Sequence, residues 1–204
     1  MITALFGGSF DPIHLGHKNV VKSLLESSLG IDRVIIMPAF VNPFKAGNEP
    51  AVHASSEQRL EMCRLAFGDI PQCVVSDWEI AQGGVSYTVN TLEQLKKTYT
   101  TDKFILIMGS DSLASLDRWH RFEDIIRLAD IAAVSRSDND SRDIDKNAEG
   151  LRNMGARVHI VRSEPFEISS TEIRKKIINN QEISCYIDEN VVKYIMFNEI
   201  YRTE

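Results

Sequence analysis

The chain has 204 residues, 43% hydrophobic and 25% charged, with a formal net charge of −6. This is enough chain for a well-buried core, and the composition is that of a globular protein. The acidic balance excludes a general nucleic-acid surface, which would carry a basic excess, and no apolar run reaches the ~18 residues of a membrane-spanning helix.

The opening MITALFGG lacks the basic flank and long apolar region of a secretory signal, so it reads as a first strand. A cytoplasmic protein is expected, with neither membrane nor nucleic acid among its partners. Cys63, Cys73 and Cys185 are odd in number, far apart and form no CxxC. That argues against a disulfide framework or structural zinc and for reduced thiols.

Strand-like and helix-like segments then alternate. ITALF (2–6) ends at glycines, and residues 15–29 carry Val20, Val21, Leu24, Leu25 and Leu29 at helical spacing. RVIIMP (33–38) is a β-branched run stopped by proline, and 41–52 is loop-like, with glycine, asparagine and two prolines. Residues 55–67 open with Ser55 and Gln58, a capping-box pattern, and continue as a helix. CVVSDW (73–78) reads as a strand, 88–99 as a helix and KFILIMG (103–109) as a buried strand.

A helix over 121–129 and a strand over 130–135 follow. The polar stretch 136–145 reads as a loop, and 146–155 as a helix ended by Gly155. A strand over 157–161 and helices over 170–180 and 187–200 close the chain, with Ser169 or Ser170 as N-cap of the first of these helices. The alternation predicts an α/β fold: a Rossmann-like, doubly wound parallel sheet of about five to six strands with helices on both faces. A single domain over 1–204 is expected. In such sheets ligands bind beyond the carboxyl ends of the strands.

Two stretches carry chemistry. In GGSFDPIHLGH (7–17), Gly7 and Gly8 permit a sharp turn, and the helix that follows offers N–H groups to an anion. His14 and His17 fall at i and i+3, which puts both imidazoles on one face if His14 is in the first turn. Gly16 would let a nucleotide lie against the backbone. No third histidine, cysteine or carboxylate stands at ligand spacing, so a metal site is not expected. In ISSTEIRKK (168–176), Ser170 and Thr171 bring hydroxyls and N–H groups to a second helix start, with Arg174 one turn on. An ordinary N-cap with a surface arginine would look the same in isolation. A phosphate loop elsewhere in the chain weighs against that.

With both stretches in hand, the chain resembles the nucleotidyltransferase superfamily bearing the HxGH and SSTxIR-type signatures. Within it, the chain is similar to the bacterial nicotinate-mononucleotide adenylyltransferases, along essentially its whole length. SYT (86–88), GSDSL (109–113), RW (118–119) and VSR (134–136) belong to the likeness. It implies a reaction: ATP and nicotinate mononucleotide give nicotinic acid adenine dinucleotide and pyrophosphate. The attacking phosphate is already an anion, so positioning and charge stabilisation suffice.

The resemblance also implies roles. Gly7, Gly8, Ser9 and Phe10 would line the substrate phosphates through backbone and hydroxyl. His14 and His17 would contact ATP, His17 stabilising the transition state, and Ser170, Thr171 and Arg174 would hold the β- and γ-phosphates. Gly109 and Asp111 would meet the ATP ribose. Lys45, Tyr87, Thr88, Trp119, His120 and Arg136 would take the mononucleotide. Magnesium would accompany ATP through water and phosphate oxygens.

The sequence departs from the pattern at Ser9, where threonine is more usual, and at Phe44, where a histidine is common. His120 follows Trp119 in place of tyrosine, and SDND follows Arg136 in place of Pro-Gly. These changes leave the ATP half of the pattern intact. The alternatives are transfer to nicotinamide mononucleotide or phosphopantetheine, a cytidylyltransferase, and a non-catalytic nucleotide sensor. Intact His14, His17 and Arg174 argue against the sensor.

Overall fold

A computed structural model describes residues 1–44, 53–135, 140–164, 166 and 168–202, without the side chains of 140–142. Six strands form one sheet in the order β3-β2-β1-β4-β5-β6, the strand order of a doubly wound fold. The strands are β1 (Ile2–Gly8), β2 (Arg33–Pro38), β3 (Cys73–Val75), β4 (Lys103–Gly109), β5 (Asp130–Ser135) and β6 (Val158–Arg162). Parallel pairs join β1 to β4, β4 to β5 and β5 to β6, with Ala4 opposite Ile105 and Met108 opposite Ala133. Strands buried on both faces read as unbroken apolar runs, which is why FILIM in β4 is legible without alternation.

Helices α1 (Leu15–Leu25), α2 (Ser56–Phe67), α4 (Thr88–Thr98), α6 (Phe122–Leu128), α8 (Ser170–Ile178) and α9 (Glu189–Phe197) stand within a few residues of their expected spans, although α1 and α9 are shorter. Ser55 caps α2 through the capping box with Gln58, as the sequence indicates. Two short helices, α3 (Trp78–Gln82) and α5 (Ser110–Leu113), and a 3₁₀ turn at Leu116–Arg118 have no counterpart in the sequence reading. They are too short to display a period.

The assignment of 136–145 as a loop needs correction. Residues 136–139 lie outside the described residues, but α7 runs over Asp140–Asn153. Its apolar stripe begins at Ile144 and continues through Ala148 and Leu151, all buried. The helix therefore starts a turn before its first conspicuous apolar position, in a stretch whose acidic residues suit a helix N-terminus. Gly155 follows it with φ of +94°, a conformation open to glycine.

By its contacts the chain divides into two compact units. The first comprises Met1–Gly7, Asn19–Ile35 and Tyr87–Pro165. In it α4 packs on α6, and α7 packs on β5 and β6. Asp102, 6% exposed, accepts from Thr3 Oγ1 at 2.7 Å and Arg33 Nη2 at 2.6 Å. The Arg33 guanidinium also lies 3.9 Å over the Tyr99 ring. The second unit comprises Gly8–Lys18, Ile36–Ser86 and Phe166–Glu204. There α2 packs on α9 and β3, with Met62, Cys63, Phe67, Val191 and Ile195 buried.

Candidate active site

The loop after β1 is held in shape by its own side chains. A Cβ on Gly8 would lie 2.9 Å from Cε1 and Cζ of Phe10, so only glycine lets that ring fold back. Phe10 has φ of +49° and is buried. Its ring meets that of His17 edge to face, with centroids 5.2 Å apart. The Phe10 side chain thus packs the loop, and the phosphate role expected of this residue is one for its backbone. Ser9 is half-buried, and its hydroxyl accepts from Asn42 Nδ2 at 3.4 Å.

His14 caps α1: its carbonyl accepts from the N–H groups of His17 at 2.9 Å and Lys18 at 3.3 Å. The two imidazoles share one face, as the i, i+3 spacing predicts, with centroids 3.7 Å apart. His17 Nδ1 accepts from the His14 N–H at 3.2 Å. With Nδ1 accepting, Nε2 is the nitrogen of this ring that can donate. The helix start is less open to an anion than its sequence suggests, because the Leu15 N–H donates to the Tyr186 carbonyl at 2.8 Å. The space above Gly16 is also filled, since a Cβ there would lie 3.0 Å from His14 Nδ1 and 3.1 Å from Phe166 Cδ1. Gly16 admits these rings rather than a nucleotide.

Next to His17, the buried Lys18 ammonium lies 2.9 Å from Asp69 and 3.1 Å from Asp188. Burial alone would pull the lysine down, but hydrogen bonds to the two carboxylates hold it above its ordinary value.

The second motif is locked onto the first. Ser169 caps α8 and forms a capping box with Glu172. The Ser170 hydroxyl donates to the Pro12 carbonyl at 2.9 Å. This bond docks the start of α8 on the loop after β1. Arg174 is 8% exposed; Nη1 donates to the Asp11 carbonyl at 2.5 Å and Nη2 to Thr171 Oγ1 at 3.2 Å. Because Thr171 Oγ1 accepts from arginine, its hydroxyl proton is directed elsewhere, and the residue is exposed.

A cleft of about 510 Å³ opens here, lined among others by Ser9, Asn42, His53, Arg59, Thr171 and Arg174. Arg59 went unnoticed in the sequence, where it looks like the polar face of an amphipathic helix. Its Nη1 donates to the carbonyls of Ser9 at 2.8 Å and Ala39 at 2.6 Å, and Nη2 to that of Phe40 at 3.1 Å. One guanidinium thus ties the loop after β1 to the segment after β2. Ser86 holds the same segment, its hydroxyl accepting from the Phe40 N–H at 2.9 Å. Asp11 is the carboxylate of the loop. Its Oδ1 accepts from the Ala54 N–H at 3.0 Å and the Tyr201 hydroxyl at 2.7 Å, and Oδ2 lies 3.6 Å from Arg174 Nη1. Among the described residues no three histidine, cysteine, aspartate or glutamate side chains gather as a metal site.

The first unit holds another group of the expected residues. Tyr87 is the N-cap position of α4, and Thr88 begins that helix. The Tyr87 and His120 rings lie 4.5 Å apart, and Arg121 joins α4 to α6 through Glu93 at 2.7 Å and Asp124 at 2.7 Å. Trp119, beside His120, is half-buried. Gly7 stands one residue before the end of β1, and Gly109 ends β4, lying opposite Val134 and capping α5, where Asp111 is exposed. Lys45 and Arg136 lie outside the described residues.

Comparison with known proteins bears on the family and the fold. The cytidylyltransferase-like family model matches residues 5–176. A relative from Idiomarina loihiensis is 35% identical, covering 98% of this chain and all of its own length, and one from Hydrogenobaculum sp. is 35% identical, covering 97% of each. Both are named "Probable nicotinate-nucleotide adenylyltransferase". Among solved structures, the nicotinic acid mononucleotide adenylyltransferase of Plasmodium falciparum, complexed with NaAD, superposes with a TM-score of 0.74 at 17% identity, covering 98% of this chain and 97% of that one. That likeness bears on the fold alone. By the family match and the full-length relatives together, the chain belongs to the cytidylyltransferase-like family, in the group of the nicotinate-nucleotide adenylyltransferases.

Proposed function

We infer that the chain transfers the adenylyl group of ATP to nicotinate mononucleotide, releasing pyrophosphate. The names of its full-length relatives support this substrate pair over nicotinamide mononucleotide and phosphopantetheine. The observation that carries the chemistry is the junction of the two motifs, through Ser170 to Pro12 and Arg174 to Asp11. It fixes a guanidinium and the Thr171 hydroxyl beside the loop that bears His14 and His17.

In this reading the mononucleotide phosphate attacks the α-phosphorus of ATP, and the bond to the pyrophosphate leaving group breaks. The nucleophile needs no general base. Arg174 and Thr171, with the N–H groups at the start of α8, hold the β- and γ-phosphates and the departing pyrophosphate. His17 Nε2–H donates to phosphate oxygens as negative charge gathers on them, with His14 beside it. The Ser9 hydroxyl and the backbone of Gly7 and Gly8 serve the phosphates. Gly109 and Asp111 take the ATP ribose. Tyr87, Thr88, Trp119 and His120 take the pyridine, with Lys45 and Arg136 assisting the mononucleotide.

Magnesium enters with ATP and would neutralise triphosphate charge. The donors at the loop are imidazole, guanidinium, hydroxyl and N–H, and the Asp11 carboxylate is engaged by Ala54, Tyr201 and Arg174. That set suits phosphate oxygens, so the ion would be carried by phosphate and water. A cytoplasmic location goes with this chemistry.

Pyrophosphate release with ATP and, in turn, nicotinate mononucleotide, nicotinamide mononucleotide and phosphopantetheine tests the reading. Nicotinate mononucleotide is expected to react fastest. A faster reaction with phosphopantetheine overturns the substrate, and no release with any acceptor overturns adenylyl transfer itself.

A further inference from the structure

We propose that Tyr201 is a positioning residue for adenylyl transfer: its hydroxyl holds the Asp11 carboxylate, and Asp11 holds the Arg174 guanidinium against the phosphate loop. The proposal rests on the reaction inferred above.

Tyr201 lies beyond α9, yet it is 3% exposed and its hydroxyl donates to Asp11 Oδ1 at 2.7 Å across 190 residues of sequence. The same oxygen accepts from the Ala54 N–H. Arg174 Nη1 is bound to the Asp11 main-chain carbonyl and faces its carboxylate at 3.6 Å. One aspartate therefore receives a phenol, a backbone amide and a guanidinium, and the guanidinium lines the cleft. With three donors around it, the carboxylate has one arrangement rather than several, and so has the arginine.

The backbone supports a directed contact rather than incidental packing. Tyr201 has φ of +68° and Glu199 φ of +50°, both in the left-handed region that side chains larger than glycine rarely adopt. Two such residues within three positions turn the chain sharply after α9 and bury Ile200 and Tyr201 together. Conformations of this kind persist where surrounding contacts over-determine them. The Tyr201 hydroxyl is also hard to ionise, through burial first and then the neighbouring Asp11 charge, so it stays a donor.

The test is Tyr201→Phe in the full chain, which keeps the ring and removes the hydroxyl. With folding verified by circular dichroism and a melting curve, kcat is expected to fall about tenfold, while the KM for nicotinate mononucleotide stays within about twofold. In an Arg174→Lys background, where the guanidinium is already lost, the same change should cost less than about twofold. An unchanged kcat overturns the proposal. So does a loss in the double variant equal to the product of the single losses, or a kcat deficit that matches the unfolded fraction. Should the phenylalanine variant not fold, Asp11→Asn, which removes the charge facing Arg174, is measured in its place, and a kcat identical to wild type there overturns the proposal too. A wild-type chain that releases no pyrophosphate overturns the reaction itself and this proposal with it. An active wild type and an equally active Tyr201→Phe overturn the proposal alone.

Discussion

His17 Nδ1 faces the His14 N–H at 3.2 Å, and that contact turns a motif letter into a chemical group. With Nδ1 accepting, Nε2 is the ring nitrogen that can donate. His17→Ala should cut kcat by a factor on the order of 10², with the KM for the mononucleotide little changed, in steady-state assays. Unchanged turnover would remove the role assigned here. At this scale the sequence is informative where neighbours in the chain are neighbours in space. His14 and His17, or Thr171 and Arg174, meet because helical spacing puts them together. Arg59 and Tyr201 were not legible, because their partners lie 50 and 190 residues away. The bond from the Ser170 hydroxyl to the Pro12 carbonyl, 158 residues away, was not legible for the same reason.

At the scale of elements, caps carry more information than apolar periodicity. The Ser55–Gln58 box is written in four residues and is present in the fold. Ser55→Ala should cost about 1 kcal/mol, which for a chain of this size lowers the melting temperature by about 2–4 °C. A melting curve unchanged within error would show that tertiary packing alone sets the start of α2. The start of α7 is not legible because its first turn is polar, and its buried stripe begins only at Ile144. Helices as short as α3 and α5 contain too few residues for a period to appear.

For the whole molecule, the Asp102 cluster joins residues from three separate stretches: Thr3, Arg33 and Asp102 itself. The Thr3 hydroxyl foremost, and Arg33 with it, outweigh burial and hold the Asp102 carboxyl below its ordinary value. A depressed carboxylate contributes stability above its unfolded value of about 3.9 and loses it as pH falls through the folded value. Asp102→Asn should therefore melt below wild type at pH 7, and the two curves should converge as the medium is acidified toward and past that value. A gap that persists unchanged at low pH would mean that the asparagine disturbs packing rather than charge.

The sequence by itself determined the alternation of strands and helices, the glycine-rich turn, the paired imidazoles and the second helix start, because each is a local pattern of size, polarity and backbone freedom. Only the tertiary structure decided what those groups are free to do. It closed the space over Gly16 with His14 and Phe166, turned Ser170 to the Pro12 carbonyl, and gathered Arg59, Arg174 and Tyr201 around the loop. The reason is physical: a donor's role depends on which acceptor lies within about 3 Å of it, and that is a property of the folded chain rather than of the residue.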